Sequence, residues 1–209
     1  MIERIEKKYP FSMGAYLDVS TYLARYGFKK VYSSRFITSL YFDYPSLSLY
    51  TDSEEGLAPR YKTRLRWYGH ETPKLHNGIF EVKRTLSDRR EKISVPVSAI
   101  PINRFQEWEK IKTHELRPML FVRYFRHYYS DAKNNRATVD LDLRYSFFRP
   151  SRYKSIYRPI FVAKDRESVL ELKLPNSQSS AGLLDNVPFT TLRFSKYCRG
   201  VSLLSGRAH

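Results

Sequence analysis

The feature that most constrains the fold is a two-residue alternation of charged and apolar side chains in several segments. In the segment RYKTRLRW, at positions 60–67, every second residue is a cation: Arg60, Lys62, Arg64 and Arg66. Successive side chains of a β-strand point to opposite faces, so this pattern predicts a strand with one cationic face and one packing face. Four like charges on one face repel one another, which favours an anion bound among them.

Carboxylates share the charged faces of other predicted strands. A Glu-x-Lys motif occurs three times along the chain, as Glu6/Lys8, Glu81/Lys83 and Glu171/Lys173. The spacing places both members of each pair on one face. Lysine and arginine bind phosphate oxygens, and a carboxylate can hold a hard divalent cation that bridges those oxygens. One such motif is more typical of a solvated sheet face, but its recurrence favours a site for phosphate and a metal.

Alternation and turn residues predict a chain that is mostly β-structure. Strands are expected over residues 4–9, 36–44, 60–67, 78–85, 91–97, 119–129, 136–145, 159–163 and 169–174. Helices are expected over residues 13–27, 98–112 and 189–204. Many antiparallel strands with few helices favour a closed sheet over a doubly wound one, in a single domain that covers residues 1–209.

The strong positive charge indicates a polyanionic partner. The 209 residues include 37 Lys and Arg against 21 Asp and Glu, a formal net charge of +16. Nucleic acid, an anionic membrane or a phosphate compound would fit that charge. Basic residues interleaved with aromatic ones could bind single-stranded nucleic acid. Carboxylates beside its phosphates would be unfavourable without a metal, so nucleic acid is the weaker expectation.

Cysteine usage and hydropathy indicate a cytoplasmic protein. Cys198 is the only cysteine, so no disulfide can form within the chain and a reducing compartment is allowed. No apolar run approaches the roughly 20 residues that a transmembrane helix requires. The first residues, MIERIEKKYP, are too charged for a signal peptide. We therefore expect no transmembrane segment.

The order of several short motifs points to a family. In chain order they are RIEKKY (4–9), SLYFD (39–43), RYKTRLRWYG (60–69), FEVK (80–83), RYFRHYY (123–129), RATVDLDL (136–143), LELKL (170–174) and FSKYCRG (194–200). With these motifs the chain resembles the VTC domain, the catalytic domain of the vacuolar transporter chaperone complex, within the CYTH-like triphosphate tunnel metalloenzymes. The resemblance spans nearly the whole chain. It implies an α+β fold, in which an eight-stranded antiparallel β-barrel forms a tunnel and helices flank it.

The resemblance also implies an activity. VTC domains are polyphosphate polymerases, which transfer the terminal phosphate of ATP or another nucleoside triphosphate onto inorganic polyphosphate with a divalent cation, Mn²⁺ or Mg²⁺. Related tunnel enzymes hydrolyse triphosphate, so an inorganic triphosphatase or polyphosphatase stays open, as does a non-catalytic module that binds polyphosphate or nucleic acid. Export of the polymer would need a separate membrane protein, which could hold the chain at the inner face of a membrane.

The matched motifs carry the family's site residues onto this chain. The phosphate-binding residues that the resemblance implies are Lys8, Arg64, Arg66, Lys83, Arg126, Arg136 and Lys196. Additional contacts on the same strand face as Arg64 would be Arg60 and Lys62, and Lys92 is a weaker candidate. Arg64, Arg66 and Lys196 are expected to be catalytic. The resemblance implies Glu171 as the chief metal ligand, and we expect Glu81 or Glu6 to help it hold the metal.

Two details bear on this assignment. Many superfamily members begin with Glu-x-Glu-x-Lys, whereas here Arg4 stands at the first acidic position, before Glu6 and Lys8. Fewer carboxylates would weaken a hydrolytic two-metal mechanism and leave more positive charge for a long polyanion. In the predicted last helix, Arg193 and Arg199 lie three residues to either side of Lys196, so a basic stripe would close over the tunnel.

Overall fold

The computed structural model of the chain describes residues 4–69, 74–75, 78–87, 89–97, 100–101, 115–149, 159–175 and 181–206. The strands in these ranges are β1 (Arg4–Ser12), β2 (Lys29–Asp43), β3 (Arg60–Tyr68), β4 (Lys74–Leu75), β5 (Gly78–Thr85), β6 (Arg90–Val97), β7 (Ile100–Pro101), β8 (Arg117–Ser130), β9 (Arg136–Phe147), β10 (Ala163–Lys164) and β11 (Glu167–Pro175). The helices are a 3-10 turn (Met13–Ala15), α1 (Tyr16–Arg25), α2 (Ser48–Glu55), α3 (Ala181–Asp185) and α4 (Lys196–Leu204). None of these helices combines the length and the apolar character needed to span a bilayer.

One antiparallel sheet contains most of these strands. Its main path has eight strands in the order β1-β11-β9-β8-β2-β3-β5-β6, and β10 pairs with β9 beside that path. Pairing is antiparallel from β1 to β11 to β9, and also along β2, β3, β5 and β6. The strands β4 and β7 form a separate antiparallel ribbon. The predicted fold class, α+β with eight antiparallel strands and few helices, is confirmed.

The chain divides into two compact units, and the first contains Met1–Arg35, Tyr124–Leu143 and Asp165–Phe194. Its core joins α1, α3, β1, β9 and β11 through a cluster of buried apolar side chains. On β11, Leu170 and Leu172 belong to this cluster. Because side chains alternate along a strand, burial of these leucines places Glu171 on the opposite face of β11. The alternation predicted for this segment therefore has a packing cause.

The second unit contains Phe36–Arg123, Arg144–Lys164 and Ser195–His209. Its core includes Leu65 and Trp67 of β3, and Trp67 packs edge-on against Phe121 with ring centroids 6.3 Å apart. Burial of this face leaves the cations of β3 on the other face, where they are only partly buried. The strand predicted over residues 60–67 and its two-faced character are confirmed.

The last helix is shorter than the sequence pattern predicts. The expected helix covered residues 189–204, whereas α4 begins at Lys196. Before α4, the backbone N–H of Leu192 donates to the carbonyl of Lys8 at 3.0 Å. This segment is therefore hydrogen-bonded to β1 and does not form part of the helix. The side chain of Ser195 then caps α4 by accepting from Cys198 N. Arg193 therefore lies outside the helix, and the predicted stripe is wrong for that residue.

The structure also differs from the sequence prediction at two other helices. The helix expected over residues 98–112 is contradicted at Ile100–Pro101, which form β7, and residues 102–112 lie outside the described ranges. The helix α2 was not predicted. Its first N–H groups, those of Leu49 and Tyr50, donate to the Asp43 carboxylate, each at 2.9 Å. The capping group lies outside the usual local spacing, so a local pattern search misses it.

Candidate functional site

The second unit holds three cations around one buried carboxylate, that of Glu81. Arg64 lies directly opposite Glu81 in the pairing of β3 with β5. Its Nε and Nη2 atoms are each 2.7 Å from Glu81 Oε2. The other oxygen, Oε1, is 3.3 Å from Arg66 Nη2 and 2.5 Å from Lys92 Nζ. We call these four residues the Glu81 cluster.

Burial and the surrounding cations shift the pKa of Glu81 in opposite directions. Its side chain is fully buried, whereas those of Arg64, Arg66 and Lys92 are 14%, 16% and 47% exposed. Burial raises the pKa of Glu81, but Arg64, Lys92 and Arg66 outweigh it and lower that pKa to about 2. The carboxylate is therefore ionised at neutral pH, and the cluster keeps a net positive charge.

The two arginines of the Glu81 cluster are held differently. Arg64 also donates from Nη1 to the Tyr41 hydroxyl at 3.1 Å, and Tyr41 stacks on Tyr197 with ring centroids 5.2 Å apart. Arg64 is therefore fixed on both edges of its guanidinium group. In Arg66 the Nε–H is buried and makes no hydrogen bond within the described residues. Arg66 thus retains a donor that its protein surroundings do not use.

A row of lysines adjoins the Glu81 cluster. Lys62 of β3 lies opposite Lys83 of β5, which lies opposite Lys92 of β6. Like charges directly opposite one another across strands are destabilising unless a counter-charge compensates them. Lys92 reaches Glu81, and Lys62 Nζ donates to Ser195 Oγ at 3.0 Å. The arrangement is suited to a ligand that carries several negative charges.

The helix α4 begins with Lys196 and is anchored to the same unit. The hydroxyl of Tyr197 donates to Asp43 Oδ2, and Tyr50 makes a hydrogen bond to Ser202 in α4. Burial raises the pKa of Asp43, although Tyr197 and three backbone N–H groups oppose that shift. Burial and the Asp43 carboxylate both raise the pKa of Tyr197, so it remains the donor. These contacts fix the helix that carries Lys196.

Close packing requires glycine at the last position of the FSKYCRG motif, Gly200. A Cβ atom at this residue would lie 2.5 Å from Tyr145 Cδ1 and 2.7 Å from Leu120 Cδ2. Only glycine allows α4 to approach these side chains so closely. Asp43, Tyr197 and Gly200 were not singled out from the sequence. The signal was present, because all three lie in the motifs that carry the family resemblance.

In the first unit, charges of both signs lie together on one face of three adjacent strands. One row runs from Lys8 on β1 to Glu171 on β11 and Thr138 on β9. The neighbouring row runs from Glu6 through Lys173 to Arg136. Lys173 Nζ is 3.1 Å from Glu171 Oε1, and Lys8 Nζ is 3.5 Å from Glu6 Oε1. Each carboxylate of this face therefore has a cation beside it.

Arg126 is held in the first unit by a bidentate ion pair. Its Nη2 atom is 2.7 Å from Asp140 Oδ2, and its Nε atom contacts Oδ1, so the pair is bidentate. The same Nη2 lies 3.9 Å from Glu171 Oε2. Burial lowers the pKa of Arg126, but Asp140 outweighs it and raises that pKa well above the ordinary value. Asp140 lies in the RATVDLDL motif, but the sequence did not identify it as the partner of Arg126.

The structure distributes the predicted site residues over both units. The first unit contains Lys8, Arg126, Arg136, Glu6 and Glu171, and the second contains Arg60, Lys62, Arg64, Arg66, Lys83, Glu81 and Lys196. Arg60 donates to the carbonyl groups of Gly56 and Leu57 at 3.4 and 3.1 Å. The roles of these residues in binding and catalysis stay predictions.

Glu171 has surroundings that suit a divalent cation. It lies opposite Thr138, whose hydroxyl is buried without a hydrogen-bond partner in the described part of the chain. A carboxylate and a hydroxyl are oxygen ligands of the kind that Mn²⁺ and Mg²⁺ accept, with phosphate oxygens and water as further ligands. The described residues contain no group of three His, Cys, Asp or Glu side chains that could hold a metal by themselves. Glu171 therefore fits a metal that is shared with a phosphate ligand.

Three solved structures are similar to this chain. HpAC1 from Hippeastrum, an adenylyl cyclase candidate described as having a dominant triphosphatase activity, is 15% identical with a TM-score of 0.59, over 99% of this chain and 98% of that chain. The PH1819 protein from Pyrococcus horikoshii is 13% identical with a TM-score of 0.55, over 97% and 99%. An adenylate cyclase candidate from Vibrio parahaemolyticus is 12% identical with a TM-score of 0.53, over 95% and 97%. At such low identity these similarities show the fold alone.

Sequence comparison identifies the family. No curated protein sequence is significantly similar to this chain. The family model for the VTC domain matches residues 3–112 and 102–205. These two matches together extend over nearly all of the 209 residues. The chain therefore belongs to the VTC domain family.

Proposed function

We propose that the chain is a metal-dependent phosphotransferase that builds inorganic polyphosphate from ATP or another nucleoside triphosphate. The observation that carries the proposal is the row of Lys62, Lys83 and Lys92 beside Arg64 and Arg66. Five cations with one buried carboxylate among them fit a ligand with several successive phosphates. Membership of the VTC domain family supports the polymerase assignment, because VTC domains are polyphosphate polymerases.

The chemistry requires positioning and charge stabilisation more than a protein nucleophile. A terminal oxygen of the acceptor polyphosphate attacks the γ-phosphorus of the nucleotide. The bond from that phosphorus to the β–γ bridging oxygen breaks, and the nucleoside diphosphate leaves with the electron pair. The acceptor oxygen is already ionised at neutral pH, so no general base is needed. Arg64, Arg66 and Lys196 would stabilise the charge on the transferred phosphoryl group.

The proposed residues of the first unit act on phosphate and metal. Lys8, Arg126 and Arg136 would bind phosphate oxygens of the polyanion. Mn²⁺ or Mg²⁺ would be held by Glu171, with Glu6 as a nearby carboxylate, and when bound it would neutralise charge on the phosphate oxygens. Arg126 is oriented by its bidentate pair with Asp140.

A direct assay tests the proposed function. Purified protein is incubated with ATP and Mn²⁺, and the product is analysed for a long acid-labile phosphate polymer. Accumulation of the polymer with release of ADP is the expected result. Release of orthophosphate without any polymer would overturn the polymerase assignment. It would instead support an inorganic triphosphatase, the second candidate, which the triphosphatase activity described for HpAC1 favours.

Binding competition separates the non-catalytic alternatives. Tripolyphosphate is expected to displace labelled polyphosphate from the protein at concentrations at which single-stranded RNA does not. Displacement by RNA at equal phosphate concentration would favour a nucleic-acid-binding module. Polyphosphate binding with neither polymer formation nor hydrolysis would favour a polyphosphate-binding module without turnover. A membrane protein for export, with the chain at the inner face of that membrane, stays a prediction.

A further inference from the structure

Glu81 presents its oxygens to protein cations on every side that the contacts define. Oε2 accepts from Arg64 and Oε1 is close to both Arg66 and Lys92. The carboxylate has no exposed surface, whereas the three cations retain some. A metal ligand must offer an oxygen lone pair to the ion, and an ion beside three cations would be strongly repelled. Glu171 also has a cation near each oxygen, Lys173 Nζ at 3.1 Å and Arg126 Nη2 at 3.9 Å. It differs from Glu81 in lying opposite Thr138, whose buried hydroxyl has no hydrogen-bond partner in the described residues.

We infer that Glu81 is a positioning residue, which holds Arg64, Arg66 and Lys92 in place for a phosphate ligand and does not bind the metal. The inference rests on the proposed function, since it concerns the same phosphate-binding residues. It assigns different tasks to two of the three glutamates that were expected to hold metal. Glu171 would contact the metal, and Glu81 would act only through the cations around it.

The register of the strands explains how one carboxylate can position three cations. Arg64 and Arg66 are two residues apart on β3, and Lys92 comes from β6 on the far side of β5. Without a negative charge on β5, these side chains would repel one another and turn towards solvent. With it, each cation is drawn towards one point while its exposed part can still contact a phosphate. Removing one partner of such a buried ion group leaves the others uncompensated.

Binding of tripolyphosphate in the presence of EDTA tests the inference without the metal. In calorimetry, Glu81→Gln is expected to weaken metal-free binding about tenfold, because the cations lose their common partner. Glu171→Gln removes a negative charge that would repel the ligand in the absence of metal, so it should make metal-free binding tighter. In the assay of turnover, Glu171→Gln should raise the Mn²⁺ concentration needed for half-maximal rate, and Glu81→Gln should raise KM for the nucleotide with the Mn²⁺ requirement unchanged.

The matched control is Glu91→Gln on β6, which removes a carboxylate from an exposed ion pair with Arg84 and Arg89. It should bind tripolyphosphate as the wild type does. Metal-free binding by Glu81→Gln that equals or exceeds that of the wild type would overturn the inference, as would a raised Mn²⁺ requirement. If the wild type binds tripolyphosphate neither in EDTA nor with Mn²⁺, the proposed function fails instead. If it binds only with Mn²⁺, the inference about Glu81 is overturned while the proposed function stands.

If Glu81→Gln does not fold, a second variant tests whether Glu81 positions the cations. Glu81→Asp keeps the charge but shortens the side chain by one methylene, so it cannot reach cations from β3 and β6 equally well. We expect a folded protein by circular dichroism whose metal-free binding of tripolyphosphate is several-fold weaker. Wild-type affinity in folded Glu81→Asp would show that the position of the carboxylate does not matter, and would overturn the inference.

Discussion

The two units place charge on their strands in opposite ways. In the first, the rows across β1, β11 and β9 mix signs, so that Lys8 faces Glu171 and Glu6 faces Lys173. In the second, three lysines face one another across β3, β5 and β6, with Glu81 as the buried carboxylate beside them. A mixed face is largely compensated by itself. On the cationic face, five cations surround Glu81, an excess of positive charge that a polyanion would offset if the proposed function is correct.

The difference shows why a count of charges says little about a site. Both units contain a Glu-x-Lys motif on a strand, and both glutamates contact cations: Glu81 lies among three of them, and Glu171 lies near Lys173 and Arg126. Glu171 differs in lying opposite Thr138, whose buried hydroxyl has no hydrogen-bond partner within the described residues. The same motif therefore provides a candidate metal ligand in one unit and a buried counterion in the other. The neighbouring strand decides between these roles, because the cross-strand partner sets the local potential.

The most disruptive test of the mixed face is the removal of Asp140. This carboxylate is fully buried and makes a bidentate pair with Arg126. Asp140→Ala removes the bidentate partner of a buried guanidinium group and leaves it the more distant carboxylate of Glu171, 3.9 Å from Nη2, so we expect the free energy of unfolding to fall by about 3–5 kcal/mol. Urea unfolding followed by circular dichroism measures it. As a control, Asp18→Ala removes an exposed carboxylate from α1 and should cost less than about 1 kcal/mol. Equal losses in the two variants would contradict the account.

Loss of Arg66 tests the cationic face directly. Arg66→Ala removes the guanidinium group that retains an unused Nε–H donor, and we expect the rate of phosphate transfer to fall by about 10²–10³-fold. The rate of polymer formation from ATP and Mn²⁺ measures the effect. Arg84→Ala is the matched control, because Arg84 lies in an exposed ion pair with Glu91. A wild-type rate in Arg66→Ala would remove this arginine from the phosphate-binding residues.

Much of this comparison could be predicted from sequence, because alternation is a property of adjacent positions. The strand over residues 60–67 has its apolar side buried, and its cations lie together on the other face. Which strands are neighbours is not a local property. The row of three lysines depends on the pairing of β3 with β5 and of β5 with β6, and Lys92 was only a weaker candidate.

The helix boundaries, too, depend in part on contacts that are not local in sequence. The end of α1 was predictable, because glycine commonly ends a helix in the left-handed conformation. Gly27 has a positive φ of 73°, and its N–H donates to the carbonyl of Ala24. The start of α2 depends on the carboxylate of Asp43 at the end of β2, outside any local capping motif. The late start of α4 depends on a backbone bond from Leu192 to β1. Contacts between distant parts of the chain fixed what the local pattern left open.

The pH dependence of the free energy of unfolding tests the low pKa of Glu81. Its pKa in the folded state is about 2, below the ordinary value of 4.5, so the native protein binds fewer protons than the unfolded chain. The stabilisation is therefore complete above pH 4.5 and is lost as the pH falls towards 2. The shift corresponds to about 3 kcal/mol. The free energy of unfolding of the wild type should decline more steeply across this window than that of Glu81→Gln. Parallel declines would contradict the low pKa.

The smallest expected effect concerns Thr138, which lies opposite Glu171 on the mixed face. Its buried hydroxyl has no hydrogen-bond partner in the described ranges, so its desolvation is uncompensated in the protein alone. Thr138→Val keeps the shape and removes the hydroxyl, and it should leave the stability unchanged or slightly higher. If the hydroxyl belongs to the metal site, the Mn²⁺ concentration for half-maximal rate should rise by about tenfold. Melting temperature and Mn²⁺ titration of the same preparation separate the two effects. A less stable protein with an unchanged Mn²⁺ requirement would show that the hydroxyl serves the fold, and would leave Glu171 as the proposed ligand without its neighbour.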